Sequence, residues 1–301
     1  GPQSDLAGEV AALIREVTGM ERVTFCNTGS EAVMAAMRLA RAATGRSKIA
    51  LFRGSYHGIS DGVLVGEADG RAVPLSPGTP PGMVEDLLLL DYGSVAALKA
   101  IEENAEALAA VLVEPVQSRR PGLQPQSFLR RLRRLTRDLG IALIFDEMVN
   151  GFRIAAGGAQ EHFGIQADIA TYGKILGGGM PIGIVAGKAK YLDWIDGGAW
   201  AYGDDSVPPS GMIAFGGTFC RHPLAMAAAQ AVLLHLREQG PALYEAVNRR
   251  ARSFADELNY WFQKEDVPLR VDHFGSQFRF ESFGSYSALL LPIEIDLLFL
   301  L

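Results

Sequence analysis

Two short apolar runs, residues 141–145 (IALIF) and 169–172 (IATY), restrict the fold of this chain more than any other feature. Both are rich in Ile, Leu and Ala and do not alternate with polar residues. Each is too brief for a helix, and the composition suits strands buried on both faces of a parallel sheet. Asp146 and Glu147 follow the first run and Lys174 closely follows the second. In open α/β sheets ligands bind beyond the carboxyl ends of the strands, so these charged groups are expected at one crevice.

Lys174 precedes Gly177, Gly178 and Gly179, and a solvated lysine before a flexible turn is the plainest reading. The strand-end position favours another. Partly desolvated there, the lysine would supply the free amine that Schiff-base chemistry requires. Asp146 provides the second half of such a site, because pyridoxal phosphate enzymes set a carboxylate against the pyridinium nitrogen of the cofactor.

The segments FDEMVNGFR and TYGKILGGGMPIG resemble the class III aminotransferases, most closely glutamate-1-semialdehyde aminomutase and the aminotransferase domains of hybrid polyketide and nonribosomal peptide synthases. The resemblance runs from about residue 6 to residue 280. It implies the α/β fold type I of the pyridoxal-phosphate transferases, aspartate aminotransferase-like, with a mostly parallel central sheet flanked by helices and part of a small C-terminal α+β domain. It further implies that Lys174 joins the cofactor aldehyde, that Asp146 faces the pyridinium nitrogen and that Met148 lies against the ring. Gly29 and Ser30 would hold the cofactor phosphate, Tyr56 and His57 would contact the ring, and Glu114 would lie nearby. Thr218 would bind the phosphate held by a neighbouring subunit, which makes the expected assembly a homodimer with shared active sites. The divisions expected are an N-terminal helix over 1–20, a cofactor-binding domain over 21–238 and a partial small domain over 239–301.

Local patterns place these residues. Residues 4–18 read as a helix and 22–26 as a strand, after which NTGSEA leads into a helix ending near residue 44. A strand, a turn of small residues and a helix start make an anion site, although Ser30 capping the helix with Gly29 at the turn would explain the same residues. The strand at 48–52 runs into GSYHG, where an aromatic face suits stacking on a flat ring and also suits capping a sheet. Residues 66–86 read as a surface excursion without periodicity. A strand at 87–90, a helix over 94–108 and a strand at 109–113 lead to Glu114.

QSRRPG departs from the aminomutase pattern, which has a small loop with asparagine. Arg119 and Arg120 there could meet a carboxylate or phosphate, or simply face solvent. The helix over 127–139 carries Arg130, Arg131, Arg133, Arg134 and Arg137 opposite its apolar side; a solvated face is the expectation, with docking of an acidic carrier protein as the alternative. A strand at 182–186 and a short helix from 189 precede an irregular segment, 195–211, containing Trp200, Tyr202, Asp204 and Asp205. Helices over 224–238 and 241–262 and strands near 269–271 and 278–280 follow, with a further helix start expected in 288–301.

A net charge of -6 over 301 residues gives no reason to expect nucleic acid or anionic membrane as a partner. The two cysteines, Cys26 and Cys220, are too far apart in sequence to suggest a disulfide framework or a metal site, and with no basic-then-apolar opening they point to a cytoplasmic setting. The expected reaction moves an amino group from glutamate or glutamine to a keto acceptor, namely the 3-oxo group of an acyl thioester on an acyl carrier protein. Glutamate-1-semialdehyde 2,1-aminomutase is the alternative, and a non-catalytic scaffold the alternative of another class.

Overall fold

The computed structural model describes residues 4–199 and 205–283. In chain order the elements are α1 (Leu6–Thr18), β1 (Arg22–Cys26), α2 (Gly29–Thr44), β2 (Lys48–Phe52), β3 (Val65–Ala68), β4 (Arg71–Pro74), β5 (Leu87–Leu90), α3 (Val95–Glu103) and β6 (Leu108–Val113). There follow α4 (Gln126–Asp138), β7 (Ala142–Asp146), α5 (Gly158–Phe163), β8 (Ile169–Gly173), β9 (Gly183–Gly187), α6 (Ala189–Leu192), α7 (Pro223–Lys264), β10 (Leu269–Phe274) and β11 (Gln277–Ser282).

Seven strands form one sheet in the order β1-β9-β8-β7-β6-β2-β5. Strands β5, β2, β6, β7 and β8 are mutually parallel, and β9 runs antiparallel to both β8 and β1. Side chains alternate between two apolar layers: Val111, Val113, Leu143 and Phe145 join one, while Ala110, Leu112, Ala142 and Ile144 join the other. Helices α1, α3 and α4 cover the first face through Val10, Ile14, Leu98, Ile101, Leu129 and Leu132. Helix α2 covers the second through its Ala and Leu residues. Both faces being buried is why β6 and β7 show no polar alternation.

Gly183 is the closest-packed point of this arrangement. It pairs with Cys26 on one side and Gly173 on the other, and a Cβ there would collide with the carbonyl of Thr28 at the start of α2. The missing side chain lets the turn after β1 and the turn after β8 approach each other. Gly183→Ala should therefore destabilise the fold by about 1–3 kcal/mol, the usual cost of overpacking. Urea unfolding of parent and variant measures it.

Two local expectations are corrected and a third is borne out. Residues 66–86 contain a hairpin, β3 paired with β4, whose turn residues Asp69 and Gly70 have φ of 51° and 73°. An Asp-Gly pair with both φ positive makes the tight turn that suits hairpin twist. On α4, Arg133 is not part of a solvated face: it shares a stripe with Leu129 and Thr136 and pairs with Asp168 at 2.8 Å. The two helices expected after residue 224 are both present within α7, separated at a kink by Gly240, whose φ of 60° and ψ of -158° are not helical. Beyond the kink, Ala255, Phe262 and Val271 form a small third cluster with the β10–β11 hairpin. Trp200, Tyr202, Asp204 and the helix start in 288–301 lie outside the described residues.

Candidate active site

Adjacent parallel strands β7 and β8 end side by side, with Asp146 in register with Thr171. Asp146 is buried, with 3% of its surface exposed. Its Oδ1 accepts from the Thr171 hydroxyl at 3.1 Å and the Met148 N–H at 3.2 Å, while Oδ2 lies 2.7 Å from His57 Nδ1. His57 comes from the loop after β2, and its other ring nitrogen, Nε2, is buried without a hydrogen-bond partner. A buried, unpaired ring nitrogen beside a fixed carboxylate is a costly arrangement that a ligand in the crevice can relieve.

Lys174 follows β8 directly and has φ of 46°, the left-handed region that a non-glycine residue adopts at a cost of about 1–3 kcal/mol. Such outliers concentrate at functional sites, where surrounding structure holds them. The expectation of a partly desolvated amine is corrected: Lys174 is exposed, and its Nζ makes no hydrogen bond or ion pair to the described residues. Residues Lys174–Gly177 form a single 3-10 turn directly after the strand.

Met148 ties two turns together. A Cβ on either Gly29 or Gly173 would lie 2.9 Å from Met148 Sδ, so the bare glycines allow the thioether to sit between the turn before α2 and the turn before Lys174. The cap of α2 is Thr28 rather than Ser30: the Thr28 hydroxyl accepts from the Glu31 N–H, and the Glu31 carboxylate accepts from the N–H groups of Asn27 and Thr28. This capping box leaves the first-turn N–H groups of Gly29 and Ser30 without an acceptor among the described residues. Ser30 instead accepts from the Ile59 N–H at 3.1 Å and packs against Gly58, which joins it to the loop carrying Tyr56 and His57.

Glu114, at the end of β6, is 4% exposed and holds two loops at once. It accepts from the Tyr56 N–H at 2.9 Å and the Ser118 N–H at 3.2 Å. Burial raises its pKa, and neighbouring His57 acts in the opposite direction. Tyr56 itself is exposed, with the Arg119 guanidinium 5.6 Å from its ring centroid. Arg120, although exposed, is held by the protein: it donates to the Arg53 carbonyl at 2.8 Å and to Gln117 Oε1. Thr218 is exposed and is not joined to this cluster by a hydrogen bond. Its turn does lie beside the α2 start, where the Asn27 amide stands 3.9 Å from Cys220 Sγ.

Sequence reasoning missed two contributors and left a third, Glu147, without a role. Thr171 positions Asp146, and Asn150 links the loops by accepting from the Val116 N–H at 3.1 Å and donating to Gln277 at 2.9 Å. Glu147, fully buried, accepts from the N–H groups of Ala159 and Gln160 at 2.6 and 3.3 Å. An acidic pair at a buried strand end was the one signal for it, since alternate residues there face opposite sides.

Burial raises the pKa of Glu147 from 4.5 to about 7, more than its two main-chain hydrogen bonds lower it. The folded state then binds the proton more tightly than the unfolded state. Stability contributed by this group is present at low pH and is lost as pH rises from 4.5 to about 7. The loss amounts to roughly 3 kcal/mol at about 1.4 kcal/mol per pKa unit. Glu147→Gln should flatten this part of the stability profile, measured as urea unfolding at about pH 5 and about pH 8. An unchanged slope in the variant would refute it.

Among the described residues no helix is long and apolar enough to cross a membrane, and no group of three or more His, Cys, Asp or Glu is placed to hold a metal. The sequence profile of the aminotransferase class-III family matches residues 1–290. Glutamate-1-semialdehyde 2,1-aminomutase of Ruminiclostridium cellulolyticum is 39% identical over 269 residues, 88% of this chain and 59% of that protein. The protein of the same name from Alkaliphilus oremlandii is 41% identical over 264 residues, 86% of this chain and 59% of that protein. The chain thus spans 59% of the length of each of these curated relatives. Among solved structures, an omega-transaminase from Sphaerobacter thermophilus superposes with a TM-score of 0.82 at 32% identity, over 93% of this chain and 64% of that chain. A beta-phenylalanine aminotransferase from Variovorax paradoxus gives 0.78 at 31% identity, over 94% and 61%.

Proposed function

The chain belongs to the class-III aminotransferase family, and from that membership we propose that it takes part in pyridoxal-phosphate-dependent transfer of an amino group from an amino acid to a keto acceptor. The observation that supports this reading is the pair of neighbouring parallel strands, β7 ending on Asp146 and β8 running directly into Lys174. The residues fit the cofactor: the orphaned His57 Nε2 marks a buried polar demand, and the open N–H groups of Gly29 and Ser30 at a helix start suit a phosphate. When bound, the cofactor supplies an electron sink for the carbanion left by proton removal.

The chain's own groups do the rest. Gly29 and Ser30 hold the phosphate through main-chain N–H groups, with Thr218 contributing from a second copy in a homodimer. Asp146 faces the ring nitrogen, oriented by Thr171 and His57. Met148 and Tyr56 border the ring. Lys174 would hold the cofactor through its aldehyde, and its free Nζ would serve as the base that takes the proton from the donor's α carbon and as the acid that returns it. We place this machinery in residues 21–238, preceded by the N-terminal helix, with the start of a smaller unit beyond the α7 kink.

For the acceptor we favour the 3-oxo group of a carrier-bound acyl thioester, with glutamate or glutamine as donor. The Arg119–Arg120 loop, which departs from the aminomutase pattern, supports it. The second reading is glutamate-1-semialdehyde 2,1-aminomutase, favoured by the function of the curated relatives. Mass spectrometry of a carrier-bound 3-oxoacyl chain incubated with the full-length protein, pyridoxal phosphate and glutamate tests them. Conversion of ketone to amine supports the first reading. Turnover of glutamate-1-semialdehyde without that conversion supports the second, and neither reaction, with no lysine-dependent visible absorbance, leaves a scaffold.

A further inference from the structure

The loop between β6 and α4 carries two arginines, and the structure separates their tasks. Arg120 is consumed internally. It donates from Nε and Nη2 to Gln117 Oε1 and from Nη2 to the Arg53 carbonyl, and its guanidinium packs on Gly54, where a Cβ would lie 2.9 Å from Nη2. Gln117 is buried and donates in turn to the Arg53 carbonyl and to Ser55 Oγ, so one side of the loop is bolted to the end of β2. The other side is fixed through Ser118, whose N–H donates to buried Glu114 and whose carbonyl accepts from Gln277.

Arg119 stands between these two anchors and differs from its neighbours in having nothing to hold. It is exposed, and among the described residues it has neither carboxylate partner nor hydrogen bond. Its one recorded contact is the Tyr56 ring, 5.6 Å from the guanidinium carbon to the centroid. Tyr56 is itself fixed by its N–H on Glu114 Oε2, and the other oxygen of Glu114 accepts from the N–H of Ser118, the residue before Arg119. A cation over an aromatic face keeps its planar fork free for a ligand while losing little freedom on binding. The surrounding loop is anchored on both sides, and the free charge stands over the ring of Tyr56, the residue proposed to border the cofactor.

We propose that Arg119 is the specificity residue of this site and recognises an anionic group on the substrate, a carboxylate or a phosphate, at the crevice mouth. The inference rests on the aminotransferase reading of the same crevice. Two sources fit the chemistry: the distal carboxylate of a dicarboxylic amino donor, and the phosphate of a phosphopantetheine arm presenting the acceptor. Both offer oxygens that a guanidinium meets in bidentate fashion.

The test uses the purified holoprotein and calorimetric binding of probes with no keto acceptor present, so that catalytic turnover is not required. Glutarate reports the dicarboxylate, phosphopantetheine the arm, and pentylamine serves as an uncharged-end control. Arg119→Met should weaken one of the two anionic probes by about tenfold or more, the loss expected for one charge-assisted fork, with the pentylamine ratio near one. Arg119→Lys, which keeps the charge without the fork, should fall between. Weakening of glutarate alone assigns the donor, and weakening of phosphopantetheine alone assigns the carrier arm. Equal affinity of parent and Arg119→Met for both anions overturns the proposal. Absence of cofactor absorbance or of transamination in the parent would instead count against the aminotransferase reading, which the probe ratios do not depend on.

Discussion

Lys174→Ala should abolish the lysine-linked visible absorbance of the protein with pyridoxal phosphate and lower amino transfer by at least about 10³-fold, the upper range for removing a positioned acid-base group that also bonds covalently. The structure gives two reasons to expect so large an effect. Lys174 holds a left-handed backbone at φ 46° directly after a buried strand, and its Nζ is engaged by no other described residue. The nearest other amine in sequence, Lys188, cannot substitute because it is bound to Asp168 at 2.6 Å on the far side of β9. The same substitution should leave folding nearly untouched, since the side chain is exposed and alanine loses no packing. Alanine at this φ retains the strain, so a small change in unfolding midpoint is the expected cost. Borohydride reduction of the parent with cofactor, followed by peptide mapping, should label Lys174. A label on another lysine, or visible absorbance surviving in the variant, would overturn the assignment.

Much of this site was legible before any coordinates. Residues 141–145 and 169–172 betrayed strands buried on two faces because a parallel sheet covered on both sides leaves no room for polar alternation. The groups that ended them, Asp146 and Lys174, could be read as facing a crevice on the same argument. What the sequence did not disclose is pairing across distance: His57 and Asp146 are 89 residues apart and meet only because β2 and β7 flank β6. Elsewhere two local patterns compete for the same stretch. Thr28 with Glu31 three residues on is a capping box, a stronger pattern than Ser30 alone, and Asp69-Gly70 is a hairpin turn inside a stretch that otherwise lacks periodicity. Arg133 was grouped with a basic face although helical spacing puts it beside Leu129 and Thr136, where Asp168 neutralises it. The role of Arg120 could not be read at all, because its partners are a carbonyl and an amide that only the folded loop supplies.

Asp146→Ala is the second change with a large expected effect, and it should separate cofactor attachment from proton removal. Attachment depends on Lys174 Nζ, which Asp146 does not touch, so the visible absorbance should persist, with its position or intensity altered by loss of the charge beside the ring. On the proposed reading, proton removal from the donor's α carbon would depend on the Asp146 carboxylate beside a protonated ring nitrogen. Truncating one partner of a buried charge pair costs about 3–5 kcal/mol. At about 1.4 kcal/mol per decade, that predicts a fall in single-turnover rate of roughly 10²–10³-fold or somewhat more. His57 sharpens the prediction, because its Nδ1 lies 2.7 Å from Asp146 Oδ2 and its Nε2 is already without a partner. Alanine would leave both ring nitrogens unsatisfied in a site 6% exposed at His57, which lowers stability as well. Asp146→Asn controls for that loss: it keeps the shape and a hydrogen-bonding oxygen for Thr171 and Met148 while removing the negative charge. If Asp146→Asn folds like the parent and still loses rate by the predicted factor, the charge is responsible. If it transaminates as fast as the parent, Asp146 is a structural anchor for His57 and the turn after β7, and the ring nitrogen is served by another group.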